Sequence, residues 1–247
     1  VYKRQVLNLS SGVSKVFASG VYDIRTTCAI KTDSSLWCWG LNANRMVGDN
    51  TNTDRTTPAQ IIATGVTKVA FGLYHTCAVV SGGAQCWGAN GSYYTVGDNT
   101  QTIRAVPTAV SGLSSGVVDI VTIAQYSTCA VLNLGALKCW GHNGDGQMGD
   151  QAFANRPTPV APVGITSGIT KIQGDNFICS LNSNGGVWCW GAGTTGQLGS
   201  GNAIGSLDYL PGAVSDPDAD LSSRGVFVRL GDALSLIHIS EPTRRYA

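Results

Sequence analysis

Residues 77–88 read CAVVSGGAQCWG, and this arrangement of two cysteines followed by Trp-Gly occurs four times in the chain of 247 residues. The copies are Cys28 to Gly40, Cys77 to Gly88, Cys129 to Gly141 and Cys179 to Gly191. Their first cysteines are 49, 52 and 50 residues apart. A fixed period of about fifty residues indicates a repeat architecture, in which each copy is one structural unit.

Each repeat has the pattern of four short strands. In the second copy, the two-residue turn Ser81-Gly82 separates two strand-like runs and is a strong hairpin signal. A strand with alternating apolar residues precedes this hairpin. A fourth strand is expected to open at a proline, Pro58 to Ala63 in one copy and Pro107 to Val110 in the next, where a missing N–H is tolerated. Four strands in about fifty residues are typical of a propeller blade.

Three motifs resemble the regulator of chromosome condensation repeat family, in its cysteine-bearing form common in bacterial surface and secreted proteins. They are His75 to Val79, Cys86 to Asn90, and Trp190-Gly191 with Gly196 to Gly199. The first two copies depart from the last motif, with Arg45-Met46-Val47 and Tyr94-Thr95-Val96 in that loop. The resemblance implies a seven-bladed β-propeller, which needs about 350 residues at this spacing. We therefore expect an all-β fold, an incomplete arc of four four-stranded blades and the start of a fifth.

The two ends of the chain resemble one DNA element translated in opposite orientations. VYKRQ at residues 1–5 can be encoded by a string whose reverse complement encodes LSLIH, which stands at residues 234–238. That element resembles the adapter of transposase-made sequencing libraries. We expect residues 1–5 and 234–247 to be scars and residues 6–233 to be a fragment. The expected repeats cover residues 13–63, 66–110, 117–163 and 169–214, with a fifth beginning at 225–233.

Composition argues against several classes of partner. Without the two ends the formal net charge falls from +1 to −2, and no glutamate remains because Glu241 is the only one. Bulk charge therefore favours neither nucleic acid nor anionic lipid. No apolar run approaches the length of a membrane span.

Hairpin geometry places the two cysteines of each copy opposite each other. Cys77 and Cys86 are equidistant from their turn, and the other copies have one more residue, which suits a three-residue turn with Gly third. Thr32-Asp33-Ser34 lacks that Gly, so the first hairpin is the least secure. We expect four disulfides within blades: Cys28–Cys38, Cys77–Cys86, Cys129–Cys139 and Cys179–Cys189. Reduced, packed cysteines are one alternative. Zinc or redox chemistry is another, disfavoured because no Cys-x-x-Cys occurs.

Cysteines that all find a partner indicate an oxidising compartment, so we expect an extracellular, cell-surface or periplasmic location.

The polar residues that could carry chemistry favour structural roles instead. We interpret His75 as part of a turn or of a hydrogen bond between blades. Asp residues at 49, 98 and 150 recur with the repeat, which favours turn capping over catalysis. The alternating carboxylates at 216, 218 and 220 suggest a calcium loop, but Leu221 occupies the place of its essential Gly. We therefore predict no catalytic residue, metal or cofactor.

Binding residues are expected where the copies differ. Four tryptophans recur with the cysteines and are expected to pack between blades: Trp39, Trp87, Trp140 and Trp190. Tyr93-Tyr94 lies in an irregular loop and is the best candidate for an exposed aromatic anchor, although core packing is an alternative. His142 lies in the corresponding loop of the next copy and is a third candidate.

These observations favour a non-catalytic binding scaffold with a protein or glycan partner. Two alternatives stay open, an inhibitor of a secreted enzyme and a propeller lyase or hydrolase whose site lies in missing blades. Because each blade of a propeller buries a face on its neighbour, an arc leaves two apolar faces open. We therefore expect the isolated fragment to self-associate.

Overall fold

In a computed structural model, the chain folds into antiparallel sheets, most of them of four strands. The structure describes residues 3–19, 25–123, 125–199, 206–213, 227–230 and 233–236. The acidic run at 216–220 lies outside these residues, as do parts of both expected scars. The described residues contain four four-stranded sheets and one two-stranded sheet, which confirms the predicted four-stranded blades of an all-β fold.

Each blade is a simple meander in which sequential strands are neighbours. Blade 1 comprises β1 (Val13–Ala18), β2 (Thr26–Lys31), β3 (Leu36–Gly40) and β4 (Arg55–Ile62). Blade 2 comprises β5 (Val66–Phe71), β6 (His75–Val80), β7 (Gly83–Gly88) and β8 (Arg104–Ala109). Blade 3 comprises β9 (Val117–Ile123), β10 (Ser127–Leu132), β11 (Leu137–Gly141) and β12 (Arg156–Val160). Blade 4 comprises β13 (Ile169–Gly174), β14 (Phe177–Asn182), β15 (Val187–Gly193) and β16 (Ser206–Ala213), and β17 (Phe227–Leu230) pairs with β18 (Ala233–Leu236).

The fourth strand of the first two blades begins before its proline, so the predicted boundary is wrong there. β4 starts at Arg55, three residues ahead of Pro58, and β8 starts at Arg104, three ahead of Pro107. Cys38 pairs with Ala59 but Gly40 pairs with Arg55, so the proline lies inside a bulge on the outer strand. A bulge tolerates the missing N–H as well as a strand start does.

The cysteines pair across the two middle strands of every blade. All eight are engaged, in the four expected disulfides, with Cα–Cα separations of 4.1 Å. This short separation is typical of a non-hydrogen-bonded cross-strand pair. The first hairpin forms without glycine because Ser34 takes the left-handed conformation, with φ of 65°. The carboxylate of Asp33 supports that turn by accepting hydrogen bonds from the backbone N–H and the hydroxyl of Ser35.

The seam between blades joins the disulfide of one blade to the tryptophan of the next. Cys28 and Cys38 of blade 1 lie in one apolar cluster with Val69 and Trp87 of blade 2, and equivalent clusters recur at the next two seams. The indole N–H groups of the three buried tryptophans donate to carbonyls of the preceding blade. These bonds are Trp87 to Met46 (2.8 Å), Trp140 to Thr95 (3.0 Å) and Trp190 to Gln147 (2.9 Å). Trp39 has no described blade before it and is only half-buried.

Candidate functional site

Four rings meet across the seam between blades 2 and 3, and we call them the aromatic patch: Tyr74, Tyr93, Tyr126 and His142. Tyr93 stacks on Tyr126 with ring centroids 4.2 Å apart and planes inclined by 22°. The edge of His142 meets Tyr93 at 5.3 Å. Tyr74 lies 5.7 Å from Tyr126. The patch thus brings two of the three predicted binding residues, Tyr93 and His142, into contact.

The loop that carries Tyr93 is one residue longer than its counterparts. Gly97 follows Asn90 by seven positions, whereas the equivalent glycines, Gly48 and Gly149, follow Asn42 and Asn143 by six. The extra residue is accommodated in a 3-10 turn, Gly91–Tyr93. That turn carries Tyr93 across the seam onto Tyr126 and leaves 37% of its surface exposed.

The backbone beneath the patch is tied across the seam. The N–H of Leu73 donates to the carbonyl of Gln125 over 2.8 Å, which joins the turns that carry Tyr74 and Tyr126. Asn155 of blade 3 donates its side-chain amide to the carbonyl of Ser92, beside Tyr93. Leu73 and the buried Met46 form an apolar floor under Tyr74 and Tyr126. The rings are therefore presented on a fixed base.

Hydrogen-bonding groups of Tyr126 and His142 form the polar edge of the patch. Burial raises the pKa of Tyr126 above its usual value, and the neighbouring tyrosines Tyr74 and Tyr93 add to that effect. The phenol therefore stays protonated and can donate a hydrogen bond. His142 is held by the side-chain amide of Gln147, which lies 3.3 Å from its Nδ1.

Tyr94, the third predicted binding residue, lies outside the ring contacts. It adopts the left-handed conformation that closes the 3-10 turn, with φ of 54°. Its hydroxyl accepts a hydrogen bond from the side-chain amide of Gln101 over 2.7 Å. Tyr94 thus provides a natural comparison for its neighbour Tyr93.

Sequence reasoning missed Tyr74 and Tyr126, although a signal was available. Both stand in the turn before the second strand of their blades, one full repeat apart. Equivalent residues of adjacent repeats are neighbours in a propeller, because every blade repeats the geometry of the one before. Recurrence of an exposed aromatic residue at that place could have indicated a surface patch.

The recurring aspartates hold the loops of the first three blades. Asp49 accepts hydrogen bonds from Thr51 and from the buried amide of Asn42, and it pairs with Arg55. Partial burial raises the pKa of Asp49, but the hydrogen bonds from Thr51, Arg55 and Asn42 outweigh it and leave the pKa below its usual value. Equivalent networks surround Asp98 and Asp150. These contacts support the interpretation of turn capping, and the sequence analysis missed the asparagine and the arginine.

His75 bridges blades 2 and 3 within the core. Its Nε2 lies 2.8 Å from the hydroxyl of Thr128, which is the hydrogen bond between blades that the sequence suggested. The ring is fully buried, and burial lowers its pKa to about 4. His75 is therefore neutral at physiological pH and has a structural environment.

No cluster of three metal-binding side chains occurs among the described residues. None of the helices in the described part of the chain is long and apolar enough to cross a lipid bilayer.

Comparison with known proteins identifies the repeat. The sequence profile of the regulator of chromosome condensation (RCC1) repeat matches residues 33–79 and 184–223. These two segments are therefore repeats of RCC1 type. The ultraviolet-B receptor UVR8 of Arabidopsis thaliana is 29% identical over 188 residues, which cover 72% of this chain and 42% of the receptor. The chain spans less than half the length of the curated relatives that it matches.

Two solved structures share the fold of these RCC1 repeats. Human WBSCR16 superposes with a TM-score of 0.69 at 18% identity, over 92% of this chain and 57% of WBSCR16. Prp20p of Saccharomyces cerevisiae superposes with a TM-score of 0.67 at 20% identity, over 88% of this chain and 52% of Prp20p. The chain thus has the β-propeller fold of RCC1-type structures.

Proposed function

We propose that this chain is a non-catalytic, extracellular binding module that takes a protein partner at the aromatic patch. The observation that carries the proposal is the stacking of Tyr93 on Tyr126, in the loop that departs from the repeat. Features shared by all copies serve the scaffold, because they recur wherever a blade is built. A half-exposed ring held by a one-residue insertion has no such architectural reason.

The physical character of the patch suits a protein interface. Tyrosine offers a large, stiff contact surface with a polar tip, and it is enriched among the residues that contribute most to binding. Tyr93 is already held by Tyr126 and His142, so little side-chain entropy remains to be lost when a partner binds. The hydroxyls of Tyr74 and Tyr126, which are hydrogen-bonded to each other, add polar groups at the edge of this surface.

The cysteines support the location. Three of the four disulfides are completely buried at seams between blades, where they are part of the packed core. A hairpin disulfide persists in an oxidising compartment and is rare in the cytosol. A chain exported through such a compartment would carry no free thiol. Labelling under denaturing, non-reducing conditions should therefore find almost none, and four or more free thiols per chain would contradict the extracellular assignment.

The relatives support a protein partner over a glycan. The solved structure of Prp20p was described together with its binding to Gsp1p and histones. An inhibitor of a secreted enzyme would be one form of the same proposal, with the enzyme as the protein partner.

A peptide selection tests the proposal on the intact chain. Binders are selected from a phage-displayed library of twelve-residue peptides, and their affinities are measured for wild type, Tyr93→Ala and Tyr94→Ala. We expect Tyr93→Ala to weaken binding by about tenfold or more, as loss of a central aromatic contact does. Tyr94→Ala is the matched control, since it removes the adjacent tyrosine without touching the ring contacts, and it should bind as wild type.

Two outcomes would overturn the assignment of a protein partner at the patch. One is a set of peptides whose affinities are equal for wild type and Tyr93→Ala. The other is Tyr93-dependent binding on a glycan array with no selected peptide, which would make the partner a sugar.

A further inference from the structure

A second surface lies on the inner strands of the blades. Three inner strands, β5, β9 and β13, line a hollow of about 420 Å³. This volume is within the range of preformed ligand sites. Its wall combines the apolar side chains of Ala70 and Val121 with the polar groups of Lys68, Asp119 and Lys171.

Charge recurs at one position of every inner strand. The third residue of β1, β5, β9 and β13 is Lys15, Lys68, Asp119 and Lys171, respectively. The ammonium group of Lys15 donates to the backbone carbonyl of Thr67 over 3.0 Å, which leaves its charge unneutralised. The ammonium group of Lys68 lies 2.8 Å from the carboxylate of Asp119.

Lys171 supplies free positive charge inside the hollow. It is exposed, and within the described residues no carboxylate forms an ion pair with it. The charged residues that line the hollow, Lys68, Asp119 and Lys171, therefore carry a net charge of +1. Lys15, on the neighbouring inner strand, adds a positive charge beside the hollow. A concave wall with an excess of one sign focuses the electric field and concentrates ligands of opposite charge.

We propose that this hollow binds a short acidic peptide segment. Its carboxylates would face Lys171, its methylene groups would pack on Ala70 and Val121, and the amide of Gln173 would face its backbone carbonyls. Asp119 selects against denser anions, because its carboxylate repels a doubly charged phosphate more strongly than a single carboxylate. The Asp119 carboxylate also pairs with the ammonium group of Lys68, and so limits the attraction between the hollow and an acidic ligand.

Opposite effects of two substitutions test this site. Binding of a fluorescein-labelled peptide of six glutamates is followed by fluorescence anisotropy, with a peptide of six glutamines as the reference ligand. Lys171→Gln should weaken binding of the glutamate peptide by about threefold or more, as loss of a partly screened charge contact does. Asp119→Asn should strengthen it by a similar factor, because it removes the repelling charge and frees Lys68 while still accepting the hydrogen bond from the Ile120 N–H.

The controls separate this site from charge in general and from the aromatic patch. Lys138→Gln removes a lysine from β11, outside the hollow, and should leave the affinity unchanged. Tyr93→Ala should also leave it unchanged, so failure here and failure of the patch proposal are distinguishable. Equal binding of the glutamine peptide, equal weakening by Lys138→Gln, or weaker binding by Asp119→Asn would each overturn the proposal.

Discussion

The indole N–H of Trp87 donates to the backbone carbonyl of Met46 over 2.8 Å, and this bond joins one blade to the blade before it. The same carbonyl accepts a second hydrogen bond, from the hydroxyl of Thr76. The indole also explains the recurring glycine at 48, since a Cβ there would lie 2.6 Å from the Trp87 Nε1. The seam between blades 1 and 2 therefore depends on the Trp87 indole as donor, the Met46 carbonyl as acceptor, and a glycine at position 48.

Trp140→Phe should lower the free energy of unfolding by about 2–4 kcal/mol, because the Thr95 carbonyl loses its donor and a cavity remains. Urea denaturation measures the change. The matched control is Trp37→Phe, since that half-buried indole donates to the hydroxyl of Ser35 within its own blade and crosses no seam. We expect the control to change stability by less than about 1 kcal/mol. Equal losses in both variants would contradict a special role of the seam.

His75 should make the protein less stable in mild acid. Its pKa is about 4 in the folded state, against 6.5 for an unperturbed histidine, so the unfolded chain binds the extra proton as pH falls. The stabilising contribution is fully present above pH 6.5 and is lost as the pH falls toward 4, at up to about 1.4 kcal/mol per pH unit. Urea denaturation between pH 7.5 and 4.5 measures this slope. His75→Gln should flatten it and His142→Gln should not, and parallel curves for wild type and His75→Gln would refute the prediction.

The fourth disulfide should be reduced first. Cys179 is half-buried and Cys189 is 6% exposed, whereas the six other cysteines are completely buried. Attack by a thiolate or phosphine requires access to a sulfur atom, so accessibility sets the order of reduction in the native protein. Brief treatment with a phosphine, followed by alkylation and mass spectrometry, should label Cys179 and Cys189 ahead of the others. Uniform labelling of all four pairs would show that global unfolding controls reduction.

The open face of blade 1 should drive self-association. Val16 is 63% exposed, although its counterparts in the next blades, Val69, Ile120 and Ile172, are 2%, 0% and 3% exposed. Val16→Lys places a charge on that face and should shift the chain toward monomer in sedimentation velocity. Val118→Lys is the control, because Val118 is similarly exposed, at 54%, on an inner strand that has blades on both sides. If Val16→Lys leaves the distribution of sedimentation coefficients unchanged, the chain self-associates through another surface.

The blade could be predicted from the sequence because its signals are local. Ser81-Gly82 specifies a tight hairpin, and the register of Cys77 with Cys86 follows from it by counting. The start of β4 was missed because Arg55 joins the strand through a bulge, which leaves no mark in the alternation of apolar residues. The pairing of Arg55 with Asp49 recurs with the repeat, but only the aspartate was recognised in the sequence.

The aromatic patch could be predicted only in part. Tyr93 was identified by irregularity of its loop, but its partner Tyr126 lies 33 positions further along the chain, in another blade. Contact between them depends on how far one blade rotates from the next, and that quantity is a property of packing rather than of any short segment. His142 was identified, but its contact with Tyr93 depends on the same rotation and became visible only in three dimensions.

Each sulfur–sulfur bond encloses only a hairpin, with partners nine or ten residues apart. Every such bond can close as soon as its own two strands have paired, without waiting for any later segment. Once closed, the disulfide prevents a one-residue shift in register, which would move every side chain of a strand to the opposite face of the sheet. Duplication or deletion of one whole copy would leave the remaining bonds intact, so the gene can change its number of copies without reassigning a single cysteine.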